Sequence, residues 1–361
     1  MNEINFLHIA DVHFGSKILG LDEKKRSIRY IETQMTLKKT LQDYDAQIVL
    51  IAGDLFDGEY DYSTIIFLCK LFSEYPDKRF FIACGNHDYL SSKNIKILAE
   101  NIPSNVHVFT DTMNCVRLDD IGVKIYGCSF SSPYLYSSLL SGFKADDDGM
   151  VNIMLMHGDV DSASKYNPIE ISDIALSNLD YIALGHRHNF SGIKKAGKTM
   201  YAYPGVPEPH GFDECGACGI IRGTIHDKNI EAFFVPVSSR RYESISIDIT
   251  DISSDSELIE KINSETDECN IYKINLIGTV NAGITLNFSA YEKLVNSFYC
   301  EFADSTHPSA DIFVYNGENS LRGKTASILN KCITDNYFEN EKTKNEVIKI
   351  LTELLCKGGN D

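Results

Sequence analysis

The chain has 361 residues, 43% of them hydrophobic, and its 34 Lys and Arg against 51 Asp and Glu give a net charge of −17. This length predicts two domains, and the hydrophobic fraction is sufficient for a large core. The acidic balance argues against a wide basic surface for nucleic acid, so any affinity for phosphate must come from a local site.

Membrane and secretory segments are not predicted. No run of about 18 apolar residues occurs, and residues 1–4 are not a basic region followed by an apolar one. The ten cysteines are scattered. Cys69, Cys84 and Cys128 fall within apolar segments, which is typical of reduced thiols in a cytoplasm. We therefore expect a cytoplasmic protein that contacts no membrane.

Strands and helices alternate through the first half of the chain. Apolar runs predict strands at 4–10, 47–52, 79–84, 151–156 and 181–184. Amphipathic segments predict helices at 27–44, 63–74 and 94–100. This alternation indicates an α/β fold with a parallel sheet covered by helices. A hairpin is predicted at 115–126. Short strands at 199–203, 219–225 and 230–236 favour a second, largely antiparallel sheet.

Polar residues follow the five predicted strands at their carboxyl ends, where open α/β sheets bind ligands. They are Asp11 and His13, Asp54, Asn86 with His87 and Asp88, His157, and His186 with His188. Half of the ten histidines of the chain are in this set. Imidazole and carboxylate ligands together suit Mn²⁺, Fe²⁺ or Zn²⁺ better than Ca²⁺.

The number of these ligands predicts two metal ions, since they exceed the needs of one ion that also binds water. A carboxylate such as Asp54 can bridge two ions about 3.5–4 Å apart, the spacing used for in-line displacement at phosphorus. Two such ions retain positive charge beside two carboxylates, so they attract phosphate and lower the pKa of water. The residues therefore favour phosphoester hydrolysis.

The motifs Asp11-Val12-His13, Gly53-Asp54, Gly85-Asn86-His87-Asp88, His157 and Gly185-His186-Arg187-His188 together resemble the signature of the calcineurin-like metallophosphoesterases. The resemblance covers residues 1 to about 237. It implies a four-layer α/β/β/α sandwich with two metals at the edge of its sheets. Within the family, residues 8–15, 52–57 and 203–205 resemble the SbcD-like nuclease subunits of DNA double-strand-break repair.

The resemblance also implies a role for each of these residues. Asp11, His13, Asp54 and His188 would hold one metal, and Asp54, Asn86, His157 and His186 the other. Mn²⁺ is the expected metal, with Fe²⁺, Zn²⁺ and Mg²⁺ as alternatives. His87 would act as the general acid for the leaving oxygen, and Asp88 would hold it.

Three further residues are candidates for substrate contacts. Asp57 and Tyr89 flank the motifs, although either could instead satisfy loop backbone. His210 stands where the resemblance leads us to expect an arginine. The pair Cys215 and Cys218 favours loop packing over a zinc or redox site, since no second pair of ligands lies nearby.

The predicted organisation is a nuclease domain at 1–240, a small α+β capping domain at 241–316 and C-terminal helices at 317–361. In the capping domain we predict strands at 242–249, 272–280 and 310–315 and helices at 254–263 and 289–298. Helices at 325–334 and 344–356 follow. The second carries an apolar stripe of Val347, Ile350, Leu351, Leu354 and Leu355. The resemblance implies that the last helices dock on an SMC-like coiled-coil ATPase (SbcC-like), and a homodimer is a further expectation.

Three functions remain open at this point. The motifs and the domain layout favour a metal-dependent DNA exonuclease or endonuclease. The charge of −17 favours the same chemistry on nucleotides or phosphoproteins. A binding module with structural metals would carry the same ligands without turnover.

Overall fold

The computed structural model describes residues 3–18, 20–57, 62–281, 284–308 and 315–357. The chain divides into two compact units, Met1–Tyr242 and Glu243–Asp361. Among the described residues, no helix is long and apolar enough to cross a membrane.

Short strands and four helices build the first unit within the described residues. Its strands are β1 (Ile4–Ile9), β2 (Ile48–Ala52), β3 (Arg79–Ala83), β4 (Val106–Val108), β5 (Asn114–Leu118), β6 (Val123–Gly127), β7 (Val151–His157), β8 (Asp159–Val160), β9 (Pro168–Ile169), β10 (Tyr181–Gly185), β11 (Lys194–Ala196), β12 (Thr199–Ala202), β13 (Gly219–His226) and β14 (Asn229–Pro236). Its helices are α1 (Glu23–Asp43), α2 (Tyr62–Ser73), α3 (Lys93–Asn101) and α4 (Ile171–Leu176).

The first sheet has six strands in the order β14-β13-β1-β2-β3-β4. Strands β1, β2 and β3 are parallel, as predicted. Strand β4, which the sequence pattern does not predict, continues the parallel order. The hairpin β13-β14 pairs antiparallel with β1 and so extends this sheet. The assignment of residues 219–225 and 230–236 to the second sheet is therefore wrong. Their alternating pattern fits either sheet, and the open edge of β1 decides it.

The second sheet also has six strands, in the order β11-β12-β10-β7-β6-β5. Its centre is parallel from β6 through β7 and β10 to β12. Only the two edge pairs, β5-β6 and β11-β12, are antiparallel. The prediction of a largely antiparallel sheet is therefore wrong, whereas the hairpin β5-β6 is confirmed.

Three apolar cores stack these elements into four layers. Helices α1, α2 and α3 pack on one face of the first sheet. Side chains such as Phe6 and Leu50 from its other face meet Ile125 and Leu155 of the second sheet. Helix α4 covers the far face of the second sheet through Ile174. The four-layer α/β/β/α sandwich is confirmed.

The second unit contains a three-stranded sheet in the order β15 (Tyr242–Asp248), β16 (Ile271–Val280) and β17 (Tyr299–Pro308), and β16 and β17 are parallel. Helices α5 (Asp255–Glu265) and α6 (Phe288–Tyr291) pack on it. Helix α6 is shorter than predicted. Strand β17 is not predicted, because polar residues interrupt its apolar pattern. The strand predicted at 310–315 lies, apart from its last residue, outside the described residues.

Two helices end the described chain, α7 (Leu321–Thr334) and α8 (Glu341–Lys357). Ser320 caps α7 by accepting a hydrogen bond from the Gly323 amide. Val347, Leu351 and Leu355 of the predicted apolar stripe of α8 pack against α7. The other two residues of the stripe, Ile350 and Leu354, are 50% and 67% exposed.

Candidate metal centre

The carboxyl ends of β1, β2 and β3 in one sheet and of β7 and β10 in the other carry the predicted site residues. The two sheets approach each other at this edge. The imidazole of His157, at the end of β7, lies 3.3 Å from the carboxylate of Asp54, which follows β2. The fold therefore assembles one site from residues far apart in sequence.

Unusual backbone conformations aim several of these side chains. Asp11, His13 and Asp54 have φ angles of 51°, 48° and 49°, and His186 has a φ of 112°. Residues other than glycine adopt positive φ in only a few per cent of cases. Such strain concentrates at functional sites, where the surrounding structure imposes it.

Two glycines allow the close approach of these strand ends. A Cβ atom on Gly85 would overlap Oδ1 of Asp54. A Cβ atom on Gly185 would overlap the carbonyl oxygen of Ala52. Any larger residue would push β3 or β10 away from the end of β2. The glycines of the motifs are therefore required by packing.

Asp11, His13 and His188 form the first group of potential ligands, with one ligand atom from each lying within 4.8 Å of the others. The Nε2 atoms of His13 and His188 are only 3.2 Å apart. The buried Nδ1 of His13 has no hydrogen-bond partner among the described residues. Two imidazole nitrogens that converge beside a buried carboxylate fit a divalent cation.

The second group contains Asp11, Asp54 and His157, again within 4.8 Å. Nε2 of His157 also lies 3.0 Å from Oδ1 of Asn86. Nδ1 of His157 is 3.0 Å from the carbonyl oxygen of Ala52, to which it can donate its proton. Such a bond fixes the tautomer in which Nε2 is free to bind a metal.

Asp54 lies between the two groups. Its Oδ2 is 3.3 Å from Nε2 of His157 and 3.8 Å from Nε2 of His13. This position agrees with a bridging carboxylate. His186 belongs to neither of these two groups. Its backbone amide donates to Asp11 at 3.0 Å, and its ring centroid lies 5.2 Å from that of His157. Its role as a ligand remains a prediction.

Burial dominates the electrostatics of this centre. It raises the pKa of Asp11 to about 6 and lowers the pKa of His13 to about 3. Burial also disfavours the imidazolium of His157, but the charges of Asp54 and Asp11 outweigh it and raise the pKa of His157 to about 9. Burial likewise disfavours the charge of Asp54, yet His157 outweighs it and lowers the pKa of that carboxyl. Strongly shifted pKa values of this kind are concentrated at functional sites.

His87 is exposed beside the metal ligands, and its partner is not the one predicted. Nδ1 of His87 is 2.8 Å from Oδ1 of Asp57. Asp88 is fully buried and accepts hydrogen bonds from the amides of Gly85 and Leu55 at 2.7 and 2.8 Å. The prediction that Asp88 holds His87 is therefore wrong: Asp88 fixes the turns at the ends of β2 and β3.

Glu214 is a site residue that the sequence patterns do not predict. It lies in a 3₁₀ turn, Phe212–Glu214, and Oε1 is 2.5 Å from Nδ1 of His188. Its other oxygen accepts a hydrogen bond from the backbone amide of His210 at 2.6 Å. Carboxylates in this position orient histidine ligands and raise their basicity. No local sequence pattern identifies Glu214.

A buried ion pair anchors the segment that carries His210 and Glu214. The guanidinium of Arg29 in α1 donates to the fully buried Glu208 at 2.7 Å and to the carbonyl oxygen of Pro209 at 3.0 Å. The ring centroid of His210 consequently lies 6.0 Å from that of His13. The structure therefore brings His210 to the site.

For Tyr89, Cys215 and Cys218, the hydrogen bonds among the described residues are made to loop backbone and not to the metal ligands. Tyr89 is half-buried, and its carbonyl oxygen accepts a hydrogen bond from the Ser92 amide at 2.8 Å. The thiols of Cys215 and Cys218 lie 3.1 and 3.4 Å from the carbonyl oxygens of Phe212 and Glu214. These contacts are those of loop packing around the Glu214 turn.

Three sets of carboxylate and imidazole ligands lie at the edge of the four-layer sandwich: the two groups described above, and His13 with Asp57 and His87. This combination defines a metallophosphoesterase. The model of the calcineurin-like phosphoesterase family matches residues 4–190, and the chain belongs to that family.

Curated relatives include an uncharacterized metallophosphoesterase, YhaO, of Bacillus subtilis (strain 168), which is 24% identical over 73% of this chain and 67% of its own length. The DNA double-strand break repair protein Mre11 of Methanopyrus kandleri is 27% identical over 58% of this chain and 51% of its own length. Mre11 of Aeropyrum pernix is 25% identical over 59% and 56%. The chain thus spans little more than half of these two Mre11 proteins.

A solved structure that resembles the chain is the crystal structure of TT1561 of Thermus thermophilus. The match has a TM-score of 0.39 and 10% identity, and it covers 64% of this chain and 99% of that one.

Proposed function

We propose that the chain is a DNA nuclease of the double-strand-break repair type, which hydrolyses phosphodiester bonds with two divalent metal ions. The observation that carries the proposal is the position of Asp54 between the two groups of ligands, 3.3 Å from His157 and 3.8 Å from His13. The two relatives named as DNA double-strand break repair proteins support the choice of DNA.

The residues that would hold the ions are Asp11, His13, Asp54, Asn86, His157, His186 and His188. The converging Nε2 atoms of His13 and His188 fit such an ion. When bound, two divalent ions neutralise phosphate charge and lower the pKa of water. Mn²⁺ is the proposed metal, since the ligands combine oxygen with imidazole nitrogen.

The chain itself supplies the proton for the leaving oxygen. His87 is exposed, and its ring centroid lies 5.0 Å from that of His13, at the mouth of the centre. Asp57 binds Nδ1 of His87, so Nε2 is left to face a substrate. A protonated imidazole in this position acts as a general acid. Asp57 thereby takes the orienting role that the sequence pattern assigns to Asp88.

Partners and location belong to the same proposal. Ile350 and Leu354 of α8, which are exposed, would contribute to a docking surface for an SMC-like coiled-coil ATPase in a cytoplasm. The unit Glu243–Asp361 would then combine a capping sheet with docking helices. A homodimer is a further part of this proposal.

Hydrolysis of end-labelled DNA tests the substrate. The full chain is loaded with Mn²⁺ and offered labelled single-stranded and duplex DNA beside bis(p-nitrophenyl) phosphate. We expect DNA and the small diester to be cleaved, and His87→Ala to keep its metal while DNA hydrolysis falls by about 10²–10⁴. Hydrolysis of the small diester should fall less, because p-nitrophenolate leaves without a proton. Cleavage of the small diester alone, with and without an ATPase partner, would overturn the choice of DNA.

A second candidate is a phosphodiesterase or phosphatase that acts on nucleotides or phosphoproteins. A cavity of about 290 Å³ borders His13 and His210 and is lined by Phe14, Tyr30, Gln34 and Thr64. Its size is near the lower end of small-molecule sites, about 300 Å³. Turnover of nucleotides or phosphopeptides that exceeds turnover of DNA would favour this candidate.

A further inference from the structure

A row of aromatic rings leads away from the metal centre on the side of His186. The ring centroid of Tyr166 is 4.9 Å from that of His186, Tyr134 follows at 5.8 Å from Tyr166, and Tyr136 at 6.3 Å from Tyr134. We call Tyr166, Tyr134 and Tyr136 the tyrosine row. Rings whose centroids are about 4.5–7 Å apart are in contact, so the row is continuous with the site.

Backbone hydrogen bonds hold the row in place. The amide of Leu135 donates to the carbonyl oxygen of Lys165 at 2.9 Å, and the amide of Asn167 donates to that of Leu135 at 2.8 Å. The fully buried side chain of Asn167 donates to the carbonyl oxygen of His157 at 2.7 Å. The segment that carries the row is therefore tied to the end of β7.

The row is open to solvent although its rings are large. Tyr134 and Tyr136 are 43% and 74% exposed, and they flank Leu135, so an extended backbone places them on one face. Folding does not require this exposure, because burying such rings stabilises a protein. Contiguous exposed aromatic surface marks a binding site.

A cation accompanies the rings. Nζ of the exposed Lys165 lies 4.1 Å from the ring centroid of Tyr134 and 5.5 Å from that of Tyr166. Aromatic rings that alternate with positive charge bind single-stranded nucleic acid, in which bases stack and phosphates pair with the cation. Stacking does not depend on net charge, so it suits a chain with a charge of −17.

We infer that the tyrosine row binds unpaired bases of a DNA strand and leads that strand into the metal centre. This inference rests on the proposed function and narrows its substrate to a single-stranded end. The separations of 5.8 and 6.3 Å between neighbouring rings are smaller than the two stacking distances, about 6.8 Å, that a base between two rings needs. Each base would therefore stack on the outward face of one ring. The row therefore fits bases that stack on protein rings instead of on each other.

Binding of a labelled oligothymidylate to the full chain in EDTA tests the inference without hydrolysis. Anisotropy is measured for the double variant Tyr134→Ala with Tyr136→Ala, for the double variant Tyr134→Phe with Tyr136→Phe, and for Tyr75→Ala. We expect the alanine pair to weaken binding by about tenfold or more and the phenylalanine pair to bind as the unaltered chain does. Tyr75→Ala is the control for loss of a ring outside the row, since Tyr75 also pairs with a lysine, Lys78, and is partly buried.

Binding of an abasic strand of equal length separates the contribution of base stacking to affinity from the contribution of phosphate charge. We expect the unaltered chain to bind it as weakly as the alanine pair binds oligothymidylate. Lys165→Gln should reduce the slope of log affinity against log salt by about 0.7, as for one phosphate contact on a single strand. Equal binding of the abasic and normal strands, or full affinity in the alanine pair, would overturn the inference.

The test of the proposed function is independent of the test of the tyrosine row. If the unaltered chain with Mn²⁺ hydrolyses neither DNA nor bis(p-nitrophenyl) phosphate, the nuclease proposal is lost, whereas ring-dependent binding in EDTA would still support the row. If hydrolysis occurs and binding does not depend on the rings, the inference about the row is lost and the nuclease proposal stands.

Discussion

The carboxylate of Glu214 lies 2.5 Å from Nδ1 of His188 and turns the Nε2 atom of that ring towards His13, 3.2 Å away. Burial disfavours the charge of Glu214, but the hydrogen bonds and charges of His188 and His210 together outweigh it and lower the pKa of that carboxyl. The pair therefore consists of an oriented ring and a carboxylate that remains ionised.

Glu214→Gln should weaken binding of the metal held by His188 by about 10–100-fold, because the ring loses its anionic partner. Calorimetric titration with Mn²⁺ measures the change. Asp213→Asn is the matched control, since Asp213 is the exposed neighbour in the same turn. Unchanged Mn²⁺ affinity in Glu214→Gln would show that His188 is oriented by other contacts.

His87→Ala should keep its metal content and lose turnover by about 10²–10⁴, as expected for a general acid. Asp57→Asn should keep metal and move the alkaline limit of the pH–rate profile to lower pH. The reason is that the hydrogen bond to Asp57 is the main cause that raises the pKa of His87. A profile that does not shift in Asp57→Asn would contradict the assignment of Asp57.

Asp88→Ala should mainly lower the stability of the fold. Its carboxylate accepts hydrogen bonds from the amides of Gly85, Leu55, Asp54 and Phe56 at 2.7–3.4 Å. Each amide left unpaired in the core costs about 1–3 kcal/mol, so the melting temperature should fall clearly. Normal stability together with lost turnover would instead restore Asp88 to a direct role at His87.

Stability and metal affinity should depend on pH in opposite senses above neutrality. Burial disfavours the charged rings of His157 and His188, but nearby carboxylates raise both pKa values to about 9 in the metal-free protein. Because these values exceed the ordinary 6.5, the stabilisation is complete below pH 6.5 and is lost as the pH rises through 9.

The melting temperature of the metal-free chain should therefore fall between pH 6.5 and 9, whereas its affinity for Mn²⁺ rises, since the metal displaces these protons. Calorimetry in two buffers of different ionisation enthalpy counts the protons released. Binding of Mn²⁺ without proton release at neutral pH would contradict the protonated state of both rings.

The strand ends are predictable from sequence because buried apolar strands stop at glycine or at short polar residues. That pattern alone places Asp11, His13, Asp54 and His157 at the carboxyl ends of strands, where ligands bind. The parallel order of β1, β2 and β3 follows from the alternation of strands with helices.

Contacts between distant segments are not predictable in this way. Asp88 is adjacent to His87 in sequence, yet the turn points its side chain inwards, and Asp57 reaches His87 from the end of β2. Glu214 lies in a loop with no periodic pattern. Strands β13 and β14 alternate regularly, but only the open edge of β1 decides which sheet they join.

The number of Mn²⁺ ions bound at saturation tests the central claim most directly, because a shared site at Asp54 is the basis of the proposed chemistry. Titration of the full chain, followed by hydrolysis of bis(p-nitrophenyl) phosphate in the same samples, gives both quantities. The account predicts two ions per chain, activity that rises with occupancy, and loss of both ions in Asp54→Ala. Binding of a single ion, or two ions retained by Asp54→Ala, would contradict it.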